Sequence, residues 1–164
     1  MKQTSQKKAE QSYSEKELKR FAEKFAASLP KTQWVLFLEG GLGAGKTTLT
    51  RLIGEVLGVE KNIINSPTYP LVQRYELKDK TPLFHMDFYR LNQQEDLEFS
   101  GIEQLTDFNS RDSKKIIIEW SSKFPQWVLQ YKKSLKSKSI CFYTLDLKLH
   151  EANTSLRFVE VLEN

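Results

Sequence analysis

An apolar run followed at once by a glycine-rich turn stands out in this sequence: Trp34-Val-Leu-Phe-Leu-Glu39, then Gly40-Gly-Leu-Gly-Ala-Gly45-Lys46-Thr47. The second segment matches the pattern G-x-x-x-x-G-K-[ST] in full. The run before it has the length and composition of a strand buried on both faces, and apolar residues at helical spacing follow it from Leu49 to Leu57. A strand, a glycine loop and a helix in this order predict a phosphate-binding loop.

The residue types in this loop suit a phosphate group. Glycine adopts positive φ without a steric penalty, so successive backbone N–H groups can point inward at phosphate oxygens. The following helix adds unpaired N–H groups and the positive end of its dipole. Lys46 is long enough to reach the β and γ phosphates of a nucleotide, and the Thr47 hydroxyl can bind Mg²⁺. A glycine-rich turn that carries a solvated lysine is the structural alternative.

Two acidic residues at the ends of predicted strands are candidates for the metal and for catalysis. Asp87 follows Pro82–Met86, and Glu119 follows Lys115–Ile118. An acid at the end of a strand beside the loop strand would lie near Mg²⁺, because α/β proteins bind ligands at that edge of the sheet. Glu119 fits the metal-binding acid better because its strand is uninterrupted, while His85 either orients Asp87 or is structural. Each acid could instead only cap its strand.

The remaining pattern predicts a sheet of mixed direction between helices. Ser14 with Glu17 forms a capping box before a helix whose apolar face runs to Leu29. Thr68–Leu77 and Pro82–Phe88 are strand-like, and the short link between them requires an antiparallel hairpin. Further predicted elements are a helix that starts at Asn92 with Glu95 as its capping partner, and strands at Lys115–Trp120, Ser139–Leu149 and Leu156–Leu162.

These elements predict the fold class and the domain organisation. We expect an α/β fold, a three-layer P-loop NTPase-like domain with a mixed parallel and antiparallel sheet. The predicted domain is single and covers residues 13–164, and residues 1–12 form a disordered N-terminal tail because they are polar and lack periodicity.

Composition and charge limit the classes of function. A chain of 164 residues that is 39% hydrophobic predicts one compact domain. No run approaches the roughly 18 apolar residues of a membrane span, the N-terminus lacks the apolar core of a secretory signal, and the single cysteine, Cys141, cannot form an internal disulfide. We therefore expect a cytoplasmic protein that is monomeric alone. The net charge of +4 favours a polyanion such as nucleic acid, or serves solubility.

The nucleotide and the reaction leave alternatives open. The tetrapeptide N-K-x-D, which binds guanine in GTPases, does not occur in this sequence, and this favours ATP. An ATPase, a small-molecule or nucleoside kinase, and a non-enzymatic interaction module gated by ATP all use such a loop. The stretch that could form a kinase lid, residues 121–138, is too short to predict one.

Four motifs occur together: the loop at residues 40–48, Ser66-Pro-Thr-Tyr69, His85-Met-Asp-Phe-Tyr-Arg90 and Glu119-Trp120. With them the chain closely resembles the TsaE (YjeE) family over roughly residues 25–162. Members of that family are bacterial ATPases required to form threonylcarbamoyladenosine at position 37 of tRNA. The resemblance implies a subunit that binds ATP and Mg²⁺, hydrolyses ATP slowly, and acts on a complex of TsaB- and TsaD-like proteins.

Carried over by position, the resemblance also implies roles for single residues. Thr47 and Glu119 would bind Mg²⁺, with Asp87 in the same network of metal and water. Lys46, Asp87 and Glu119 would form the catalytic group. The residues that would hold the phosphates are Gly43, Ala44, Gly45, Lys46, Thr47 and Thr48.

Other implied contacts are less direct. Thr68, in the switch-like segment Ser66-Pro-Thr68, would sense the γ-phosphate through its hydroxyl. Trp120 would pack beside the nucleotide, although a buried core indole is the commoner role for such a residue. The helix start near Ser14 would approach the adenine, and tRNA would be reached indirectly through the complex.

Two positions depart from the family pattern, and residues 121–138 are hard to align with it, so no specific role carries over there. Gly41 stands where the family usually has Asp, and Ser121 stands where it usually has Pro. The fixed positions of the loop are intact, so Gly41 should still allow the loop to form. Residues 131–138 are basic and free of acids, and a solvated loop explains them more readily than contact with tRNA phosphates or with an acidic partner.

Overall fold

The computed structural model describes residues 11–67, 69, 71–108, 113–150 and 153–163. The strands in these residues are β1 (Gln11–Tyr13), β2 (Trp34–Glu39), β3 (Val72–Glu76), β4 (Pro82–Asp87), β5 (Lys115–Glu119), β6 (Cys141–His150) and β7 (Asn153–Glu163). The helices are α1 (Glu15–Ser28), α2 (Lys46–Val56), α3 (Gln94–Phe99), α4 (Ile102–Thr106) and α5 (Pro125–Ser137), and a 3₁₀ turn spans Ser121–Lys123.

One sheet contains the seven strands of the described residues, in the order β1-β7-β6-β2-β5-β4-β3. The four central strands β6, β2, β5 and β4 run parallel. β3 pairs antiparallel with β4 at one edge, and β7 and β1 extend the other edge with antiparallel pairings. The predicted mixed sheet and the predicted β3–β4 hairpin are therefore confirmed.

Helices cover both faces of the parallel strands. In β2, Leu36 and Leu38 pack into a core cluster with α1 and α2, whereas Val35 and Phe37 pack into a second cluster with α3, α4 and α5. All four side chains are at most 1% exposed, because successive residues of a strand point to opposite faces and both faces are covered. This arrangement confirms the three-layer α/β prediction.

Local sequence sets where the first helix begins. The Ser14 hydroxyl accepts a hydrogen bond from the Glu17 N–H at 3.4 Å, and the Glu17 carboxylate accepts one from the Ser14 N–H at 2.8 Å. Each residue thus satisfies a donor that the first turn of a helix leaves without a partner. The capping box predicted from the sequence is confirmed.

Two predicted boundaries, the start of α3 and the end of the N-terminal tail, differ from the structure. Helix α3 is capped one residue later than expected, by Gln93 with Asp96, because the Asp96 carboxylate accepts from the N–H groups ahead of the helix. Strand β1 begins at Gln11, so the predicted tail extends two residues too far, and residues 1–10 lie outside the described part of the chain. The short β1 forms because it pairs with β7.

The basic stretch at residues 131–138 is not a loop. Most of it forms the second half of α5, in which Trp127, Tyr131 and Leu135 recur every four residues and are buried against the second core cluster. Of the lysines in this half of α5, Lys133 and Lys136 are exposed, whereas Lys132 is half-buried and donates to the Thr144 hydroxyl at 2.9 Å. None of the described helices has the length and apolar character that crossing a membrane requires.

The carboxyl ends of β2, β5 and β4 meet at one edge of the sheet. Leu38 stands opposite Glu119 in the β2–β5 pair, and Asp87 stands opposite Glu119 in the β4–β5 pair. The glycine loop leaves β2 at the same edge. The fold therefore gathers the loop and both predicted acids in one place.

Candidate functional site

The glycine loop joins β2 to α2 and passes close to β6. Gly40 has a φ of 130°, and a Cβ at this position would lie 2.1 Å from the carbonyl oxygen of Leu147. Only glycine fits there. Gly45 precedes α2 with a φ of 98° and has no side chain that could cap the helix, so the first N–H groups of α2 can bind an anion.

Lys46 is the first residue of α2, and it is held inside the loop. Its side chain is only 4% exposed. The Nζ atom donates to the carbonyl oxygens of Gly40 at 2.7 Å and Gly41 at 2.9 Å, and it lies 3.8 Å from the centre of the Trp120 ring. A cation is therefore fixed beside the N-terminus of α2.

The electrostatic surroundings of Lys46 work in two directions. Burial lowers the pKa of its ammonium group below the usual value, and the negative charges of Glu119 and Asp87 oppose that decrease. In the described part of the chain, Lys46 forms no ion pair within 4.0 Å. Its charge is balanced at a distance, which leaves it able to bind an anionic ligand directly.

Glu119 connects α2 to the sheet. Its carboxylate is buried, and Oε2 accepts a hydrogen bond from the Thr47 hydroxyl at 3.1 Å. Oε1 accepts from the Thr50 hydroxyl at 3.3 Å and lies 2.7 Å from Nε2 of His85. This short contact joins the His85 ring on β4 to the end of β5.

Asp87 lies beside Glu119 at the end of β4 and is 3% exposed. Its Oδ2 accepts from the Ser66 hydroxyl at 2.6 Å, and its Oδ1 accepts from the Tyr89 N–H at 2.9 Å. The carboxylate is thus held by the segment that leads into β3 and by the turn after β4. Both contacts fix its orientation toward the loop edge.

Two aromatic side chains, Tyr89 and Trp120, line the cavity next to the glycine loop. The rings of Tyr89 and Trp120 lie 5.0 Å apart, and Trp120 is half-buried. Trp120 is not a fully buried core indole: it packs against the second core cluster, and its ring also faces Lys46 and lines a cavity.

These groups surround a cavity of about 350 Å³. The residues that line it are Leu42, Gly43, Gly45, Lys46, Thr47, Thr48, Ser66, Asp87, Tyr89, Glu119 and Trp120. Backbone N–H groups, one cation, two carboxylates and four hydroxyls in such a space suit a phosphorylated ligand.

The same oxygen atoms fit Mg²⁺. In the part of the chain that the structure describes, no three His, Cys, Asp or Glu side chains form a metal-binding group. Mg²⁺ needs no such cage, because it usually takes one or two protein oxygens and completes its shell with water and phosphate. The Thr47 hydroxyl and the Glu119 carboxylate are oxygen donors of this kind, and Asp87 lines the same cavity.

Comparison with known proteins places this site in a family. A family model described as "Threonylcarbamoyl adenosine biosynthesis protein TsaE" matches residues 12–153 of the chain. The chain belongs to the TsaE family. The match includes the glycine loop, both acids and Trp120, so the TsaE resemblance noted from the motifs is confirmed.

Individual TsaE proteins align with the central part of the chain. A Haemophilus influenzae protein named "tRNA threonylcarbamoyladenosine biosynthesis protein TsaE" is 44% identical over 108 residues, which are 63% of this chain and 65% of that protein. A Rickettsia typhi protein of the same name is 42% identical over 112 residues, 66% of this chain and 70% of its own length. The Bacillus subtilis protein of that name is 47% identical over 75 residues, 45% of this chain and 46% of its own length.

The alignments therefore span less than two thirds of the Haemophilus and Bacillus relatives. A solved structure covers more. The crystal structure of Bacillus subtilis YdiB superimposes with a TM-score of 0.59 at 25% sequence identity, over 98% of this chain and 88% of that one. This likeness supports the fold of the whole described chain.

The structure of this TsaE-family chain brings most of the predicted site residues together. Ala44 is buried behind the loop and is not among the residues that line the cavity. Thr68 lies outside the described residues, so its role stays a prediction. The predicted residues that line the cavity are Gly43, Gly45, Lys46, Thr47, Thr48, Asp87 and Glu119.

Two contacts of Glu119 were not predicted from the sequence. His85 was expected to orient Asp87 or to be structural, but it contacts Glu119. Thr50, one helical turn after Lys46, also donates to Glu119. The helix period could have indicated Thr50, because residues three and four apart share a face and Thr47 is its neighbour there. The partner of His85 depends on the order of the strands, which the sequence does not contain.

Proposed function

We propose that this chain binds ATP with Mg²⁺, hydrolyses it slowly, and thereby serves the formation of threonylcarbamoyladenosine at position 37 of tRNA. The observation that carries the proposal is the meeting of Lys46, Thr47 and Glu119 at one cavity. Phosphoryl transfer needs a loop that holds phosphates, a cation, and an acid at the metal. The proposed process, threonylcarbamoyladenosine formation, is taken from the name of the family. The proposed reaction, ATP hydrolysis, is argued from the residues that line the cavity.

Binding of the phosphates is assigned to the loop and to Lys46. The N–H groups at residues 43–48 and the N-terminus of α2 attract negative charge. The Nζ atom of Lys46 now donates to two loop carbonyl oxygens, and a phosphate oxygen at the same place is a stronger, charged acceptor. When a phosphate oxygen replaces the carbonyl oxygens of Gly40 and Gly41 as the partner of Nζ, the lysine favours a phosphorylated ligand.

The hydrolytic step is assigned to the two acids and their neighbours. Mg²⁺, when bound, would neutralise the charge on the transferred phosphoryl oxygens. The Thr47 hydroxyl and Glu119 would hold it, while His85 and Thr50 keep the Glu119 carboxylate in position. Asp87, fixed by Ser66 and the Tyr89 N–H, stands next to Glu119 and is placed to orient the attacking water.

Apolar side chains at the rim of the cavity support the assignment of protein partners. Two of the lining residues, Leu42 in the loop at 73% and Tyr89 at 42%, are exposed although their side chains are large and mainly apolar. Exposed apolar groups beside a ligand site are typical of a surface that binds another protein, and their position lets that protein respond to the bound ligand. We therefore propose that TsaB- and TsaD-like proteins dock here and stimulate hydrolysis. The same observation favours an ATP-gated interaction module as the second candidate.

Hydrolysis assays with and without a TsaB–TsaD complex test the proposal. We expect the rate to rise about tenfold or more on addition of the partners, as happens when a partner completes a phosphoryl-transfer site. Glu119→Ala should lose turnover and keep the fold, whereas Glu60→Ala, a matched change of an exposed acid, should behave as the unchanged protein. Absence of ATP binding would contradict the proposal. ATP-dependent docking without turnover would favour the gated module.

A further inference from the structure

Trp120 has an unusual backbone conformation. Its φ is 62° and its ψ is 25°, the left-handed region that glycine adopts readily and that a residue with a Cβ adopts at a cost. Such a conformation persists only where neighbouring contacts enforce it. Trp120 lies between Glu119, which closes β5, and the 3₁₀ turn at Ser121–Lys123. The contacts that enforce it therefore come from this junction.

The end of β2 supplies those contacts. The Trp120 N–H donates to the carbonyl oxygen of Leu38 at 3.2 Å. On the other side of the tryptophan, Oε1 of Glu39 accepts hydrogen bonds from the Ser121 hydroxyl and from the Ser122 N–H, the latter at 3.1 Å. Ser121 is 1% exposed and Glu39 is half-buried. Leu38 and Glu39, two consecutive residues of β2, thus form hydrogen bonds with the chain at Trp120 and just after it.

The left-handed backbone conformation of Trp120 sets the direction of its indole ring. Its ring centre lies 3.8 Å from Nζ of Lys46, within the range in which an aromatic face attracts a cation. The Tyr89 ring packs against it at 5.0 Å. If the turn relaxed, Trp120 could leave the left-handed region, and its ring would leave Lys46.

We propose that Glu39 is a positioning residue that acts through Ser121 and Ser122 to hold the Trp120 ring against Lys46. Glu39 itself lies outside the lining of the cavity. Its effect on nucleotide binding rests on the proposed function, whereas its effect on the position of Trp120 does not. Glu39 therefore contributes to the phosphate site by geometry, without contact with the ligand.

A purely electrostatic role of Glu39 makes a different prediction. Glu39 is also one of the carboxylates whose charge acts on Lys46 and on Lys132, so its removal changes the local field. Glu39→Gln removes the charge but keeps an oxygen that can accept from Ser121 and Ser122. Glu39→Ala removes both. Retention by Gln and loss by Ala therefore identifies the positioning role.

The test combines ¹⁹F NMR of protein labelled with 5-fluorotryptophan and equilibrium binding of ATP with Mg²⁺. Trp120→Phe assigns the Trp120 resonance. We expect Glu39→Ala and, to a smaller extent, Ser121→Ala to shift or broaden that resonance, while those of the buried Trp34 and Trp127 stay unchanged. The dissociation constant for ATP should rise about three- to tenfold in Glu39→Ala, the size of a lost cation–π contact. Glu39→Gln should retain most of the affinity.

Ser100→Ala is the matched control for the serine change, because the Ser100 hydroxyl also bonds within a turn, between α3 and α4, away from the cavity. It should leave the Trp120 resonance and the affinity for ATP within about twofold of the unchanged protein. An unmoved Trp120 resonance in Glu39→Ala would overturn the inference, and so would equal losses in Glu39→Gln and Glu39→Ala. If the unchanged protein binds no ATP, the proposed function fails, and the NMR result still decides the positioning role.

Discussion

Two lysines are buried to a similar extent at opposite edges of the parallel strands, and they are held in different ways. Lys115, the first residue of β5, is 3% exposed, and its Nζ pairs with Asp79 at 2.9 Å and bonds to Thr81 at 3.0 Å. Lys46, at the carboxyl edge, is 4% exposed and donates to two carbonyl oxygens. The first lysine is neutralised within the protein. The second has no ion-pair partner within 4.0 Å among the described residues.

The difference between the two lysines suggests that Lys115 serves the stability of the fold and Lys46 serves ligand binding. A buried charge costs free energy unless a partner compensates it, and the hairpin between β3 and β4 supplies that partner to Lys115 through Asp79. At Lys46 the compensation within the described residues comes from carbonyl dipoles, an aromatic face and more distant acids. The carboxyl edge is therefore less well satisfied by the protein alone, as expected for a binding site.

The largest effect is expected when the two lysines are replaced in turn by methionine, which keeps most of their apolar length. Lys46→Met should raise the dissociation constant for ATP about 100-fold, or about 2.7 kcal/mol, because charge-assisted bonds to phosphate are lost. Its free energy of unfolding should stay equal or increase, since the cost of burying the ammonium disappears. Isothermal titration calorimetry and urea unfolding measure the two quantities.

Lys115→Met should show the reverse. The free energy of unfolding should fall by about 1 kcal/mol as the bonds to Asp79 and Thr81 are lost, and the affinity for ATP should change by less than about twofold. Equal losses of ATP affinity in both methionine variants would mean that the contrast between the two edges is wrong.

A smaller effect is expected at His85, which supports Glu119 without lining the cavity. His85→Leu should lower kcat about tenfold, the usual size for loss of a group that orients a metal-binding carboxylate, and should change KM little. His85→Gln can place an amide N–H near the position of Nε2 and should recover most of kcat. Steady-state assays with saturating Mg²⁺ separate the two constants. A rise in KM with an unchanged kcat would show that His85 serves ATP binding instead.

The smallest effect is expected at Asp79, the partner of Lys115, and concerns the free energy of unfolding at low pH. The Thr81 hydroxyl and Lys115 lower the pKa of Asp79 from an ordinary 3.8 to about 2. Because the folded pKa lies below the unfolded one, Asp79 stabilises the protein at pH values above about 4, and this contribution is lost as the pH falls to 2. Asp79→Asn should therefore flatten the decline in unfolding free energy between pH 4 and pH 2. Urea unfolding at stepped pH measures it, with Glu60→Gln as the control.

The sequence was sufficient for the parts of the fold that depend on local pattern. The continuous apolar run of β2 and the helical spacing after it predicted the strand, the loop and α2. The short link between β3 and β4 allowed only a hairpin. Glu119 could be singled out because a buried strand ends at it, and the structure places it in contact with Thr47; its role at a metal stays a prediction.

The rest depends on contacts between distant segments. The contact of His85 with Glu119 and that of Glu39 with Ser121 exist because β4, β5 and β2 are neighbours in the sheet, and strand order is not written in local periodicity. Helix α5 was missed for a different reason. Its lysines dominate the composition of residues 131–138, and the buried series of Trp127, Tyr131 and Leu135 begins before that stretch.

A crystal structure with a non-hydrolysable ATP analogue and Mg²⁺ tests the central claim most directly. We expect phosphate oxygens within hydrogen-bonding distance of the N–H groups at residues 43–48 and of Lys46 Nζ. We also expect the metal to be bound to the Thr47 hydroxyl and held by the Glu119 carboxylate. A nucleotide bound elsewhere, or a loop without phosphate and with Lys46 turned into bulk water, would contradict it.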